Sequence, residues 1–490
     1  MWTRRQQFSA FAVLMFCFLL LMHKSETIRE HANRASTYIP YKAWSNSYDD
    51  MSEEFGDMDY LGSVPPTMPC KGLVPITETD LLMRPHGFTV YDNLYLRNGT
   101  LYAIVETPST FPDLKNVLAR PLDQKGANLD PTPEMMQVIM PGDATNILGS
   151  RAVAIEGASF IIYDMNFLKH YYHWWGEIIL GAIKIYSAMT LTAGFRGPLA
   201  DPSRFIIPNV AGSSDWHDKV GIIAPLMRAA FPSASVETGD YWKDLSDTNQ
   251  TFVFERAMII SRHAAHKSPL GGLWFAMIST TMEVATPPYF WEPFRQRVVR
   301  NTVGYLPSLD DKGLVTSKPK SSAPIVLYIS RQNAGRRLRD EDHEGLLKSL
   351  KELEDEGVCQ VQVVAMEKLS LKEQIETVGR ATIMLGIHGN GLTHQIWMPA
   401  TSRSTVIEIF FPQTYRHDYS MLSRNMEHAH YAVWNDTTLT YPKGQWFKGI
   451  NDGRREDFHG NNIPVHGPTV ARVIRERLWV PTHNSTNTSL

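Results

Sequence analysis

Residues 324–330, PIVLYIS, open the stretch whose order of elements decides the fold. EDHEGLLKSLKELEDEG (341–357), QVQVV (360–364), SLKEQIETVG (370–379), TIMLG (382–386) and TVIEIF (405–410) follow it. Short apolar runs rich in Val and Ile read as buried strands, and the segments between them carry a helical period. That alternation predicts an α/β fold with a parallel sheet covered by helices. The boundaries have local causes. Ser370 with Glu373 forms a capping box, Gly357 closes the preceding helix, and a third helix opens near Gly391.

In an open parallel sheet, ligands sit beyond the carboxyl ends of the strands, where helix N-termini present free N–H groups. The polar residues of this half fall there. PIVLYIS runs into Arg331 and a loop with Arg336 and Arg337; TIMLG runs into Ile387-His388-Gly389-Asn390-Gly391-Leu392-Thr393; TVIEIF carries Glu408. Guanidinium groups and close-approaching glycine N–H groups suit a diphosphate, and a carboxylate on the next strand suits either ribose hydroxyls or a structural ion pair. HGNG is neither GxGxxG nor GxxxxGK[ST], which excludes the usual dinucleotide and P-loop readings.

The first half is mixed. FTVYDNLYL and GASFIIY read as β-rich, Asn166 to about Met189 as a long apolar helix, RFIIP as a strand, and a further helix is expected near Asp215. The long helix contains Lys169-His170-Tyr171-Tyr172-His173-Trp174-Trp175-Gly176-Glu177. His173 and Glu177 stand at i and i+4 on one face, a pairing that orients an imidazole for general-base work, and either residue could be the base. Trp174, Trp175 and Trp216 are candidate acceptor-side platforms for a sugar ring, with core aromatics as the alternative.

The remaining sequence bounds the classes. Of 490 residues 43% are hydrophobic and 20% charged, as in an ordinary folded chain, and a net charge of -3 argues against broad nucleic-acid binding. Cys17, Cys70 and Cys359 are too few for a disulfide scaffold, leaving Cys70–Cys359 as the candidate lumenal bridge. Phe8 to Met22 is an apolar run behind Arg4 and Arg5, shorter than the ~20 residues of a typical span. We read a cytosolic tail (1–7) and a transmembrane signal anchor (8–22), with a cleaved signal as the alternative. A stem (23–75), an N-terminal lobe (76–309), a linker (310–322), a C-terminal lobe (323–450) and an extension packing back on the lobes (451–490) complete the expected order. The sequons at Asn98, Asn249, Asn435, Asn484 and Asn487 are compatible with the secretory pathway.

These residues together resemble glycosyltransferase family 61. The carriers are His173-Trp174 with Glu177, Ser330-Arg331, Arg336-Arg337-Leu338, Glu373-Gln374, Gly386 through His394, Trp397-Met398-Pro399 and Val406-Ile407-Glu408. The resemblance runs from about His173 to Pro412. It implies a GT-B architecture of two Rossmann-like lobes facing across a cleft, with a nucleotide sugar held mainly by the C-terminal lobe. It also implies an inverting transfer of xylose, GlcNAc or a related sugar, UDP-linked, to a glycan or glycoprotein. The expected location is a Golgi or endoplasmic reticulum membrane, type II, with a lumenal body. Between the glycines the commonest family pattern has a small residue where this chain has Asn390, which could reach a phosphate or the donor sugar. No cofactor or metal is expected: Asp57-Met58-Asp59 lies in the stem, and Asp340-Glu341-Asp342 suits a helix start. The rival readings are a glycoside hydrolase and a membrane-tethered carbohydrate-binding protein.

Overall fold

The computed structural model describes residues 72–479 apart from 123–125, 166, 194, 196–198, 443–444 and 450–455. The expected tail, anchor, nearly all of the stem, Asp57–Asp59, Cys70, Asn484 and Asn487 lie outside the described residues. Among the described residues no helix is long and apolar enough to cross a membrane.

The second half follows its sequence pattern. Strands Ile325–Ile329, Ile383–Ile387 and Thr405–Ile409 are buried along their whole length, as expected of a sheet covered on both faces. They pair in parallel, with Gln360–Val364 beside the first and Ala429–Trp434 beside the last; Thr437–Thr440 adds an antiparallel edge. Ser370 Oγ accepts from the Glu373 N–H while Glu373 reaches back to the Ser370 N–H, completing the capping box. Gly357, at φ 72°, ends helix Asp340–Asp355, with the Val358 N–H donating to the Leu353 carbonyl.

The first sheet is mixed and nine-stranded, centred on Phe88–Arg97, Thr251–Ile260 and Arg151–Ile162. Leu73–Pro75, assigned above to the stem, pairs with Val153–Arg151 and so belongs to this sheet. The helix expected near Asp215 begins at Ile223, because Asp218 accepts from the Ile222 and Ile223 N–H groups and so starts it late. The expected linker is a packed connection: the Gly313 carbonyl accepts from Thr382 Oγ1, and Val315 is buried.

The described residues fall in one compact unit, and a pair of helices joins its two sheets. Tyr172–Ile179 has wide π-type turns, the Leu180 N–H reaching the Trp175 carbonyl, and continues as helix Leu180–Ala188. It lies along helix Asp418–Asn425: Tyr172 meets Tyr419 edge-on at 5.4 Å, Gly176 admits Leu422, and Lys184 Nζ donates to Asn425 Oδ1 at 2.8 Å. A Cβ on Gly176 would stand 3.2 Å from Leu422 Cδ2, so glycine sets the closeness of the two helices.

The tryptophans expected to face an acceptor are core instead. Trp174, Trp175 and Trp216 are 0%, 0% and 1% exposed. Trp174 stacks on Trp216 at 5.0 Å, and Trp175 packs edge-on against Trp397 and Trp291. Their rings have no open face for a sugar. The sequence pattern could not separate an aromatic platform from an aromatic core, since both ask for large rings beside a helix. Cys359 is a buried free thiol in the core of the second half.

Trp175→Ala is therefore expected to cost about 3–5 kcal/mol of unfolding free energy. Urea denaturation checks this, and an unchanged midpoint would contradict a structural role for the ring.

Candidate active site

Two buried carboxylates, each holding a histidine, organise the site. The first is Glu177, 1% exposed. Its Oε2 accepts from His173 Nδ1 at 2.6 Å and from Arg262 Nη1 at 2.5 Å, and its Oε1 accepts from the Met277 N–H at 2.7 Å. Arg262 is fixed in turn by Asp164, with Nε donating to Oδ2 at 2.8 Å. Burial alone would raise the Glu177 carboxyl, but the Arg262 charge and the hydrogen bonds from His173 and Arg262 outweigh it and hold the group well below the usual range. An ionised carboxylate only accepts, so His173 Nδ1 must be the donor, and in the neutral ring Nε2 carries the lone pair. His173 is 26% exposed. Of the two expected bases, Glu177 is sealed away from any substrate and His173 is reachable.

The second carboxylate is Glu408, 0% exposed. His388 Nδ1 lies 2.5 Å from its Oε1 and His430 Nε2 2.7 Å from its Oε2. This corrects the ribose-binding expectation, because both oxygens are engaged by imidazoles and solvent does not reach them. Burial pushes the Glu408 carboxyl up to about 7 and the imidazole of His388 down. His388 Nε2 faces Asp418 Oδ2 at 3.7 Å. Burial and the nearby Glu177 charge push Asp418 up to about 6, which places the two dyads in one electrostatic neighbourhood.

Around His388 the carboxyl ends of three parallel strands converge. Arg331 and Arg336 both donate through Nη1 to the His388 carbonyl, at 3.4 and 2.5 Å. Neither makes a salt bridge among the described residues. Arg336 also contacts His459 and lies over the Phe458 ring at 4.8 Å, so the C-terminal extension closes one side. Arg337 pairs through its backbone with Gly460 and Ile463. Gly389 holds φ 153°, and a Cβ there would stand 1.6 Å from Arg331 Nη1; only glycine leaves room for that guanidinium.

Two expected contacts of this loop are corrected. The Leu392 N–H is spent on the Gly389 carbonyl, and the Leu392 side chain is core. Thr393 is fully buried, its hydroxyl donating to Asn390 Oδ1 at 3.4 Å. Asn390 Oδ1 also accepts from the Tyr172 N–H at 3.1 Å, so its oxygen joins the two halves. Asn390 and Gly391 remain at the open start of helix Asn390–Trp397, ahead of its first hydrogen bond.

Among the described residues no group of three or more His, Cys, Asp or Glu side chains could hold a metal ion. Asn98, Asn249 and Asn435 occupy left-handed turn positions, at φ 50°, 52° and 52°, the first two exposed.

Residues 171–407 match the family model of Glycosyltransferase 61. This is a glycosyltransferase family 61 region. It covers just under half of the chain and includes both the His173 turn and the His388 loop. The chain is also similar to the EGF domain-specific O-linked N-acetylglucosamine transferase of Drosophila melanogaster, 27% identical over 128 residues. That similarity covers 26% of this chain and 23% of the relative, so the chain spans about a quarter of the relative's length.

Sequence reasoning missed Arg262, Asp164, Asp418, His430 and Phe458. They lie on elements outside the motifs, and no local spacing ties them to the histidines. The family 61 region itself spans Arg262, which the strand Thr251–Ile260 delivers to the site.

Glu177 supplies a pH test. Its folded pKa is depressed, so its contribution to stability is fully present above the ordinary carboxyl value of 4.5 and is lost as pH falls toward the folded value. Glu177→Gln should cost about 3–5 kcal/mol at pH 7. The gap to wild type should narrow in urea titrations below pH 4.5; a gap independent of pH would contradict the ionised pair.

Proposed function

We propose that this chain is an inverting glycosyltransferase, moving a sugar from a nucleoside-diphosphate sugar to a hydroxyl of a glycan or glycoprotein. The observation that carries the reading is the pair Arg331 and Arg336, without carboxylate partners among the described residues, at the carboxyl edge of a parallel sheet. Two guanidinium groups beside His388 and the open N–H groups of Asn390 and Gly391 match a diphosphate. The family 61 region supports the reaction class. UDP is the proposed nucleotide and xylose or GlcNAc the proposed sugar; the similarity to a relative named as an N-acetylglucosamine transferase supports the latter. A GT-B arrangement, a type II membrane anchor and a Golgi or endoplasmic reticulum setting complete the proposal.

In this mechanism His173 Nε2 takes the proton of the acceptor hydroxyl as its oxygen attacks the anomeric carbon. Glu177 holds the tautomer and stabilises the imidazolium that forms. The bond to the diphosphate breaks on the opposite face, which inverts the centre. Negative charge then grows on the leaving diphosphate, where the arginines and N–H groups are already in place. Fixed cations in this position can perform the task that a divalent metal performs elsewhere, so transfer is proposed to be independent of metal.

Thermal-shift titration with UDP, GDP, UDP-xylose and UDP-GlcNAc tests the reading; stabilisation by none of them would overturn it. Arg336→Ala should weaken nucleotide binding by about 10- to 100-fold. His173→Ala should keep nucleotide stabilisation while transfer drops about 10²- to 10⁴-fold. Loss of transfer in EDTA would refute metal independence.

A further inference from the structure

The outer side of the His173 turn carries two large aromatic side chains in solvent. Phe167 is 59% exposed and Phe275 is 72% exposed. Both hold left-handed backbone, at φ 63° and 51°, a conformation that glycine or asparagine takes at lower cost and a bulky residue rarely adopts. Neither ring gains a place in the core in return.

Phe167 touches the dyad directly, and Phe275 is linked to it through His266 and the Met277 loop. The Phe167 centroid is 4.8 Å from that of His173, and the Arg262 guanidinium lies 5.7 Å from the Phe167 ring. Phe275 stacks on His266 at 4.6 Å with 28° between the planes. It stands two residues before Met277, whose N–H binds Glu177. The His266 N–H donates to the Arg262 carbonyl at 3.0 Å, one helical turn back, which ties the second ring to the same site.

The chemistry of this surface selects its occupant. Arg262 is engaged by Asp164 and Glu177. His170, 4.7 Å from His173, and His266 are both pushed down to about 4, so neither imidazole carries a charge at neutral pH. Aromatic faces edged by neutral imidazoles match a sugar ring, whose C–H face meets the negative face of a phenyl ring while its hydroxyls find hydrogen-bond partners.

We propose that Phe167 and Phe275 form the platform on which a sugar ring of a glycan acceptor lies, with one hydroxyl directed at His173. They take the role that Trp174, Trp175 and Trp216 cannot fill. The proposal rests on the transferase reading for the fate of that hydroxyl, while the binding of a sugar ring stands on the surface itself.

Saturation-transfer difference NMR on the full chain, without a donor, tests it. The probes are the methyl glycosides of xylose, N-acetylglucosamine, mannose and galactose, beside a mixture of blocked dipeptides. Wild type should saturate the ring protons of at least one glycoside. The double variant Phe167→Asn, Phe275→Asn should cut that signal by about fivefold or more. It should also melt at or above the wild-type temperature, because asparagine tolerates the left-handed backbone. Phe275→Leu, which keeps an apolar side chain but no ring, should lose signal as well. No saturation of any glycoside, saturation of the dipeptides alone, or an unchanged signal in the variants would overturn the platform. With no nucleotide present, none of these outcomes depends on the transferase reading, which the nucleotide titration decides separately.

Discussion

An ionised carboxylate shut away from water is the constraint on which the first half of the molecule depends. Leaving Glu177 buried without partners would cost several kcal/mol. Three segments meet to prevent that: the π-turn brings His173, the strand ending at Ile260 delivers Arg262, and the loop after Phe275 offers the Met277 N–H. Asp164 then balances Arg262. The same arrangement fixes which nitrogen of His173 is free. Stability and the proposed chemistry therefore draw on one set of hydrogen bonds.

The second half repeats the device with a different balance. Among the described residues Glu408 has two imidazoles and no arginine in direct contact, and burial is left to push its carboxyl upward. A carboxylate that holds His388 by Nδ1 leaves Nε2 aimed at the space shared with Asp418. The two dyads are brought together by Asn390, which accepts from the Tyr172 N–H, and by the helix pair that Gly176 allows to close. Tyr172 thus links the proposed acceptor side to the proposed diphosphate side, since its N–H and its ring both contact the opposite half.

How much of this was legible depended on whether the signal was local. The parallel sheet could be read because PIVLYIS, TIMLG and TVIEIF are buried on both faces and Ser370, Glu373 and Gly357 mark their own boundaries. His173 with Glu177 was legible because i, i+4 spacing is local to one helix, whereas the need for glycine at 389, to leave room for the Arg331 guanidinium, joins two distant strand ends and was not. The role of Glu408 was misread: a carboxylate at a strand end looks the same whether it meets ribose or two histidines, and His430 sits on a different strand. The tryptophans failed for a related reason, since composition gives ring size but not which face is covered. Arg262 and Asp418 were invisible because their partners are distant in sequence.

The central claim is that a diphosphate seats beside His388 with His173 facing it from the other half. A crystal structure of the chain with UDP bound tests this most directly. The account predicts diphosphate oxygens within hydrogen-bonding distance of Arg336 and of the N–H groups at Asn390 and Gly391, with His173 Nε2 across from them. UDP bound elsewhere, with that edge of the sheet untouched, would contradict it.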